Sequence, residues 1–375
     1  MPLARPRPVK QIVSVQILRG LAAFMVVFGH AQHHTFVQTL KLGGSFERVH
    51  LLPWRAGVDI FFVISGFIMV YASEDLFGRK GASVEFLARR VARIVPLYWM
   101  FTAFYTLFLV IALVGTTKDF PGWPNIVASF AFWPAYATGH EAPMPVFELG
   151  WTLNYEMFFY AVFAVFIGLR RSRTVIAVAA LLGGLVLMGF VLQPSAAAPF
   201  FWTRPIILEF VFGMGIALLL RHGVVLSGLI RGAFLVSGVA ILIADPIDSS
   251  HQAIDWTTPN DAWRVLGWGL PAALIVCAAV LGRQGQPSRL SKLGVHLGDA
   301  SYALYLSHPF VIVGIRKAMQ WAGFDETTRA WPTLAFTVVS CCVFAVFVHR
   351  FVERPVTRFI QGILVRPRPP RTATA

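Results

Sequence analysis

The feature that most constrains this chain is a series of long apolar blocks, each about as long as a lipid bilayer is thick. The blocks run for about 16 to 22 residues, and a helix rising about 1.5 Å per residue needs about 20 to cross a hydrocarbon layer of about 30 Å. Only helices and closed barrels satisfy their own backbone in lipid, and blocks of this length favour helices. The sequence therefore predicts an all-α, polytopic integral membrane protein.

The composition agrees with this prediction and argues against a soluble protein. Of the 375 residues, 57% are apolar and 13% are charged, more hydrocarbon than a soluble core can bury. The net charge of +14 would suit nucleic acid, yet the basic residues lie in the connections between blocks rather than in one stripe. We expect no nucleic-acid partner, and the three cysteines show no metal-ligand spacing, so we expect no metal.

The apolar blocks predict ten spans, and the lysines and arginines predict their orientation. The predicted spans are residues 12–32, 56–74, 94–115, 150–168, 174–192, 205–220, 231–245, 263–281, 298–315 and 331–351. With both termini in the cytoplasm, 22 of the 32 lysines and arginines fall on the cytoplasmic side and nine on the outer side. Because this bias follows the positive-inside rule, we predict that both termini are cytoplasmic.

Two short segments are predicted to lie outside the spans. Residues 125–136 are apolar but short, and counting them as a span would place Arg170, Arg171 and Arg173 outside. We therefore predict an interfacial segment at the outer surface. Residues 366–375, which contain several prolines and arginines, are predicted to be a disordered cytoplasmic tail after a single membrane-embedded domain of residues 1–365.

Four ionisable residues lie within predicted spans. Each costs about 2.5 kcal/mol or more in the bilayer, so each needs a functional or structural reason to be there. Together they suggest an acid–base centre. Arg19 and His30 are eleven residues apart, which places them on one helix face about 16 Å apart. Asp59 and Glu156 each lie near the outer start of a span, at about the depth of His30. We predict that one of these carboxylates orients the imidazole.

Each of these residues also has an ordinary explanation. His30 alone would suit the membrane interface, Asp59 alone would favour a helix start, and Arg19 alone would extend to the inner surface. Their occurrence together favours a functional centre.

A cluster of arginines lies on the predicted cytoplasmic side, just before the third span. Arg89, Arg90 and Arg93 are three and four residues apart and are followed by Tyr98. At this spacing they share a helix face, and planar guanidinium groups bind phosphates well. We expect either a site for an anionic, nucleotide-like ligand or simple anchoring by positive charge.

Further polar residues lie near the outer ends of other spans. In the ninth span, Tyr305 is followed by His308 and Pro309. His308 either caps the backbone group that Pro309 frees or contacts a substrate. Arg204 and Glu209, at the start of the sixth span, either form a structural pair or line the path of a substrate.

In their order along the chain, these motifs resemble those of the membrane-bound acyltransferase-3 family. The matching segments are Leu18-Arg19-Gly20-Leu21-Ala22-Ala23 running to His30, Gly57-Val58-Asp59-Ile60-Phe61-Phe62-Val63-Ile64-Ser65-Gly66-Phe67, Arg89-Arg90-Val91-Ala92-Arg93 running to Trp99, Trp151-Thr152-Leu153-Asn154-Tyr155-Glu156, and Ser301 to Pro309. Each segment alone is a weak signal, whereas the ordered set is specific and covers nearly the whole chain. Within the family, the chain is similar to bacterial exopolysaccharide O-acetyltransferases.

The resemblance implies a multi-pass enzyme of the bacterial inner membrane. Such an enzyme moves an acyl group, with acetyl favoured, from cytoplasmic acyl-CoA to a hydroxyl of an exopolysaccharide or other envelope glycan. On this likeness, Arg19 and His30 fill the family's Arg-to-His motif and Glu156 its membrane glutamate. Where the family often has a doubled glutamate, this chain has only Glu156, followed by Met157.

We therefore expect three groups of site residues. They are catalytic His30, Glu156 and Asp59; donor-binding Arg19, Arg89, Arg90, Arg93 and Tyr98; and acceptor-binding Asn154, Arg204, Glu209, Tyr305 and His308.

Two other classes of protein remain open from the sequence. Charges in the middle of the membrane and helices broken by Gly or Pro are also typical of a transporter or a flippase of lipid-linked glycans, although the chain has no internal repeat. A scaffold subunit of a polysaccharide export complex would leave the centre at His30 without a role.

Overall fold

The computed structural model describes residues 11–113, 120–138, 142–246, 262–282, 289–324 and 329–365, and within these ranges it contains helices and no strand. The helices are α1 (Val13–Lys41), α2 (Gly57–Ala72), α3 (Ala82–Leu113), α4 (Trp123–Phe130), α5 (Gly150–Phe166), α6 (Arg171–Leu192), α7 (Ala197–Trp202), α8 (Leu208–Arg221), α9 (Gly228–Ala244), α10 (Ala262–Arg264), α11 (Leu270–Val280), α12 (Arg289–Asp299), α13 (Ser301–Trp321), α14 (Ala330–Val348) and α15 (Arg354–Leu364). Four short 3-10 or π turns adjoin these helices, at Trp54–Ala56, Pro205–Ile207, Val265–Gly269 and His349–Glu353. The predicted tail, 366–375, lies outside the described residues.

Six helical stretches in the described part of the chain are long and apolar enough to cross a bilayer. They are Val13–Lys41, Trp54–Ala72, Ala82–Leu113, Arg171–Leu192, Ala262–Val280 and Ala330–Leu364. The other four predicted spans fall on α5, α8, α9 and α13, of 17, 14, 17 and 21 residues. The structure thus supports an all-helical, multi-pass membrane protein with six candidate spans.

Some helices extend well beyond their predicted spans. Helix α1 continues to Lys41 rather than residue 32, and α3 begins at Ala82 rather than residue 94. Hydropathy detects only the apolar part of a helix, whereas helical hydrogen bonding continues through the polar turns at its ends. As a result, the three arginines before residue 94 lie on α3 itself rather than in a connection.

The predicted interfacial segment 125–136 includes most of helix α4, which has eight residues. At about 1.5 Å per residue this helix is about 12 Å long, too short to cross about 30 Å of hydrocarbon. After it the chain turns at Phe132, where φ is 56°. The side-chain nitrogen of Asn125 then donates to the carbonyl oxygens of Ala135 and Met144 at 3.1 and 3.0 Å. The segment is a folded connection and not a span.

Helices α2 and α8 lie backbone against backbone because a glycine stands at each contact. Gly66 packs on the backbone of Phe210, and Gly213 packs on the backbone of Val63. A Cβ atom at either glycine would overlap the other helix. Small residues permit such close packing between membrane helices, where dispersion contacts rather than hydrophobic burial hold the helices together.

Polar contacts join helix ends at two opposite ends of the bundle. At the first end, where α1 begins, Glu74 after α2 pairs with Arg171 at the start of α6 (3.0 Å) and with Arg221 at the end of α8 (2.5 Å). At the second end, where α1 ends, Arg316 of α13 donates to the side-chain oxygen of Gln38 at 3.5 Å. The end of α2, the start of α6 and the end of α8 thus meet at the first end, as expected when successive helices run in alternating directions through the bundle.

Candidate active site

A cavity of about 100 Å³ lies among helices α1, α2, α3, α5 and α13. Its polar lining includes Arg19 of α1, Arg90 and Arg93 of α3, and Glu156 of α5. Tyr305 of α13 forms the wall toward the second end of the bundle, where its hydroxyl donates to the carbonyl oxygen at the start of α5 at 3.1 Å. Five helices therefore bring residues from distant parts of the sequence around one cavity.

Three guanidinium groups line this cavity, those of Arg19, Arg90 and Arg93. Arg19 is only 8% exposed and donates to the side-chain oxygen of Gln16 at 3.2 Å. The Nε atom of Arg90 is buried without a hydrogen-bond partner in the described part of the chain. Buried cations are unfavourable without compensating anions, and Glu156 supplies only one negative charge to the lining. The cavity is therefore suited to an anionic ligand.

Two acidic residues outside the cavity reduce this excess of positive charge without removing it. Glu353 and Asp299 both lie close enough to Arg19 to act on its charge. Glu353 already accepts a hydrogen bond from His349 at 2.9 Å when that ring carries the proton on Nδ1. The charges of Arg90 and Arg93 have no ion-pair partner among the described residues.

Glu156 lies on the cavity wall, where two hydroxyl groups hold its carboxylate. Its Oε1 atom accepts hydrogen bonds from Ser65 Oγ at 2.8 Å and from the hydroxyl of Tyr160. It acts electrostatically on Arg19, and no described hydrogen bond joins it to His30. Glu156 therefore belongs with the arginines of the cavity.

Two of the predicted donor-binding residues lie away from the cavity. Arg89 forms an ion pair with Glu85, one turn earlier on α3. Tyr98 is fully buried; its hydroxyl donates to the carbonyl oxygen of Ser129 at 3.1 Å, and its ring packs on Phe132. Arg90 and Arg93 line the cavity, whereas Arg89 does not. The spacing of the three arginines could not predict this difference, because it results from the ion pair between Arg89 and Glu85.

His30 and His308 form a direct contact between α1 and α13. The Nδ1 atom of His30 lies 2.8 Å from Nε2 of His308, and Nδ1 of His308 lies 3.2 Å from the carbonyl oxygen of Leu304. His30 is half-buried and His308 fully buried, and the ring of Tyr305 separates His308 from the cavity, with ring centroids 6.2 Å apart. Within the described ranges, no group of three His, Cys, Asp or Glu side chains is placed to hold a metal ion.

Asp59 has a partner other than the predicted one. Its two carboxylate oxygens accept hydrogen bonds from Arg264 at 3.0 and 2.9 Å, and Asp59 is fully buried. The guanidinium carbon of Arg264 lies 4.9 Å from the ring centroid of Trp268 and 5.7 Å from that of Trp151. The prediction that Asp59 or Glu156 orients His30 is therefore corrected, because the contact to the His30 ring comes from another histidine.

The helical repeat of α2 explains why Asp59 is separate from the cavity. Val58, Phe61 and Ser65 face the cavity and are spaced three and four residues apart, the spacing of one helix face. Asp59 follows Val58 by about 100° around the helix, toward α10 and α11. Sequence reasoning did not identify Arg264 as a residue that contacts Asp59. An arginine at the start of a span, at the predicted depth of Asp59, was the available signal.

A second cavity, of about 420 Å³, lies between α6 and the segment from α7 to α8. Arg204 lines it, with its guanidinium carbon 4.9 Å from the ring centroid of Phe200. Tyr136, Gln193 and other polar and aromatic side chains complete the wall. Helix α6 ends at the second end of the bundle, so this cleft lies at that end.

The remaining predicted acceptor-binding residues are buried at separate places. The hydroxyl of Tyr305 accepts from Thr152 Oγ1 at 3.0 Å. Asn154 is fully buried, and neither atom of its side-chain amide has a partner among the described residues. Glu209 is fully buried with its carboxylate against Gly269. Of these residues, only Tyr305 lines the cavity with the arginines.

The sequence of this chain is similar to those of known proteins. Residues 12–349 match the acyltransferase-3 family model, described as an acyltransferase domain. The chain is 34% identical to the exopolysaccharide production protein ExoZ of Rhizobium meliloti (strain 1021) over 324 residues, which cover 82% of this chain and 91% of ExoZ. It is 28% identical to the acyltransferase MdmB of Streptomyces mycarofaciens over 403 residues, covering 98% of this chain and 96% of MdmB. No solved structure matches significantly.

Proposed function

The chain belongs to the acyltransferase-3 family, and we propose that it transfers an acyl group from cytoplasmic acyl-CoA to a glycan outside the membrane. Family membership and the acyltransferase relatives make it an O-acyltransferase. The resemblance favours acetyl as the acyl group. The name of the relative from Rhizobium meliloti favours an exopolysaccharide as the acceptor.

The proposed topology has ten spans, with both termini in the cytoplasm of a bacterial inner membrane. Besides the six candidate spans, helices α5, α8, α9 and α13 would also cross, and three of these four have 17 residues or fewer. The lysine and arginine bias supports this orientation, as does the grouping of helix ends described above. The first end of the bundle is then cytoplasmic, the second end faces outward, and residues 1–365 form one domain.

The observation that carries the proposal is the cavity shared by Arg19, Arg90 and Arg93, whose wall at Tyr305 contacts His308, the partner of His30. In the proposed topology, Arg90 and Arg93 lie in the cytoplasmic half of α3, where the phosphates of acyl-CoA would meet them. Guanidinium groups bind phosphate oxygens through strong, charge-assisted hydrogen bonds. The acyl-bearing arm would pass Arg19 and reach toward Tyr305.

The proposed chemistry places His30 at the reacting groups. The imidazole removes the proton from a sugar hydroxyl, whose oxygen attacks the thioester carbonyl carbon as the C–S bond breaks. The proton then returns from His30 to the departing thiolate. In a second route, His30 itself attacks the thioester and then passes the acyl group to the hydroxyl. In either route, Glu156 acts at the arginine end of the cavity.

The proposed acceptor site lies at the second end of the bundle. Arg204, Tyr136 and Gln193 would contact the glycan in the larger cleft, since aromatic rings and planar polar groups both suit sugars. Asn154 and Tyr305 would act closer to the reacting hydroxyl. Because Asp59 is fully engaged by Arg264, we assign it a structural role.

The test is a transfer assay with purified protein in nanodiscs, labelled acetyl-CoA and envelope glycan. We expect His30→Ala to reduce product formation by about 10²-fold or more, the range for loss of a general base. His50→Ala is the matched control because His50 is exposed on the loop before α2. Product from His30→Ala at the wild-type rate would contradict the proposal. Glycan movement across the membrane of proteoliposomes that contain the protein, without consumption of the thioester, would also contradict it.

A further inference from the structure

We propose that His308 is a positioning residue that fixes the tautomer of His30 through a relay beginning at a backbone carbonyl. The inference rests on the proposed role of His30 as the base and adds the group that holds it ready. The relay consists of the Leu304 carbonyl oxygen, the ring of His308 and the ring of His30, joined by contacts of 3.2 and 2.8 Å.

The direction of the relay follows from the Leu304 carbonyl, which can only accept a hydrogen bond. The Nδ1 atom of His308, 3.2 Å away, must therefore carry the proton. In a neutral imidazole the other nitrogen is then an acceptor, so Nε2 of His308 presents a lone pair. The Nδ1 atom of His30, 2.8 Å from that lone pair, must be the donor.

The consequence is that His30 keeps its proton on Nδ1 and leaves Nε2 free to accept one. This is the tautomer that a general base needs, and holding it is the role that a carboxylate performs in hydrolases with a catalytic triad. Here the role falls to a neutral histidine, because Asp59 pairs with Arg264 and Glu156 lies with the arginines. The relay therefore explains how His30 can act without a carboxylate partner.

In the described part of the chain, the charged and titratable groups around the pair are all basic. The charged and titratable groups that act on His30 are Arg55, His33 and His34, and His34 also acts on His308. None of them is an anion. When His30 takes a proton from the acceptor hydroxyl, its Nδ1–H donates more strongly to His308, and the proton later leaves from Nε2 to the thiolate. The relay stabilises the transient imidazolium without changing the balance of protons.

The experiment compares His308→Gln with His308→Leu in the transfer assay, using purified full-length protein and labelled acetyl-CoA. Gln can offer its Oε1 atom to His30 and its amide hydrogens to Leu304, whereas Leu can do neither. We expect His308→Leu to lower kcat by about 10² to 10⁴-fold with the KM for acetyl-CoA unchanged. His308→Gln should recover activity to within about tenfold of wild type and shift the acid limb of the pH–rate profile, because one titrating ring is lost.

Ser307→Ala is the matched control, since Ser307 is also buried on α13 and its hydroxyl has no partner among the described residues. Wild-type activity in His308→Leu would overturn the relay, as would equal losses in both His308 variants with an unmoved acid limb. The failure of the proposed function is distinguishable, because it would appear as full activity in His30→Ala. Activity in His30→Gln equal to that of wild type would have the same meaning.

Discussion

Asp59 and Arg264 form a buried, two-point ion pair between α2 and the stretch that contains α10 and α11. Each oxygen of the carboxylate meets a different nitrogen of the guanidinium, at 3.0 and 2.9 Å, and the two side chains are 0% and 7% exposed. The pair joins two helical stretches that are both candidate spans. It leaves the site at His30 without the carboxylate that the sequence suggested.

Removal of this carboxylate should destabilise the protein strongly. Asp59→Ala leaves the charge of Arg264 buried without its partner, and we expect a loss of about 3–5 kcal/mol in the free energy of unfolding. Denaturation in detergent micelles measures it. Glu47→Ala, at an exposed carboxylate, should change little. The double variant Asp59→Ala/Arg264→Ala should lose less stability than the two single variants added together, and strict additivity would contradict the pairing.

The arginines on α3 should divide by function. Arg90→Gln and Arg93→Gln remove charge from the cavity, so we expect each to raise the KM for acetyl-CoA by about tenfold or more, given about 1.5–3 kcal/mol per charge-assisted hydrogen bond. Arg89→Gln should leave that KM nearly unchanged, because Arg89 pairs with Glu85. Initial rates at varied acetyl-CoA measure the effect. An equal rise in KM at Arg89 and Arg90 would contradict this division, and an unchanged KM in all three variants would return the arginines to the role of topological anchors.

The contact between α2 and α8 should not tolerate even one added methyl group. Gly213→Ala places a Cβ atom against the backbone of Val63, and neither backbone can yield without moving a helix. We expect a loss of about 1–3 kcal/mol in stability, with a parallel fall in activity, because α2 also lines the cavity.

Gly215→Ala provides the control for this prediction on the same helix. No atom lies within 4 Å of the added methyl group at Gly215. Its replacement should be neutral, or stabilising by up to about 1 kcal/mol, because alanine has the higher helix propensity. Melting temperatures in detergent compare the two variants. Similar losses at Gly213 and Gly215 would show that the close contact is not the cause.

Substitutions in the cleft at the second end should weaken binding of the acceptor glycan and leave binding of the acyl donor unchanged. Arg204→Gln removes a cation that lines this cleft. We expect a several-fold rise in the KM for the glycan, since a loss of about 1.4 kcal/mol of binding free energy weakens affinity about tenfold. The KM for acetyl-CoA should stay constant, because the arginine cavity is a separate one. Rates measured at varied glycan and fixed acetyl-CoA test this. A rise in the acetyl-CoA KM alone would refute the assignment of the cleft to the acceptor.

The positions of the helices were predictable because lipid imposes a strong and local requirement. Each predicted span falls on a helix, since a run of apolar residues must satisfy its own backbone in the bilayer. The ends of the helices were less predictable, as the start of α3 at Ala82 illustrates. Polar residues continue a helix without any change that hydropathy detects.

The site was predictable only in part. Helical periodicity relates residues along one helix, so it could place Arg19 and His30 on one face of α1. It says nothing of the rotation of a neighbouring helix, and so it could not pair His30 with His308 or Asp59 with Arg264. Equal predicted depth suggested that carboxylates would meet His30, but depth fixes only one of three coordinates.

By itself, the sequence determined the all-helical, membrane-embedded architecture and the kinds of side chain available for chemistry. The tertiary structure decided which of those side chains meet. Arg90 lines the cavity while its neighbour Arg89 pairs with Glu85, and His30 contacts His308 from a helix 278 residues further along the chain. The physical reason is that burial in lipid acts on each residue independently, whereas a contact between helices depends on the packing of both surfaces.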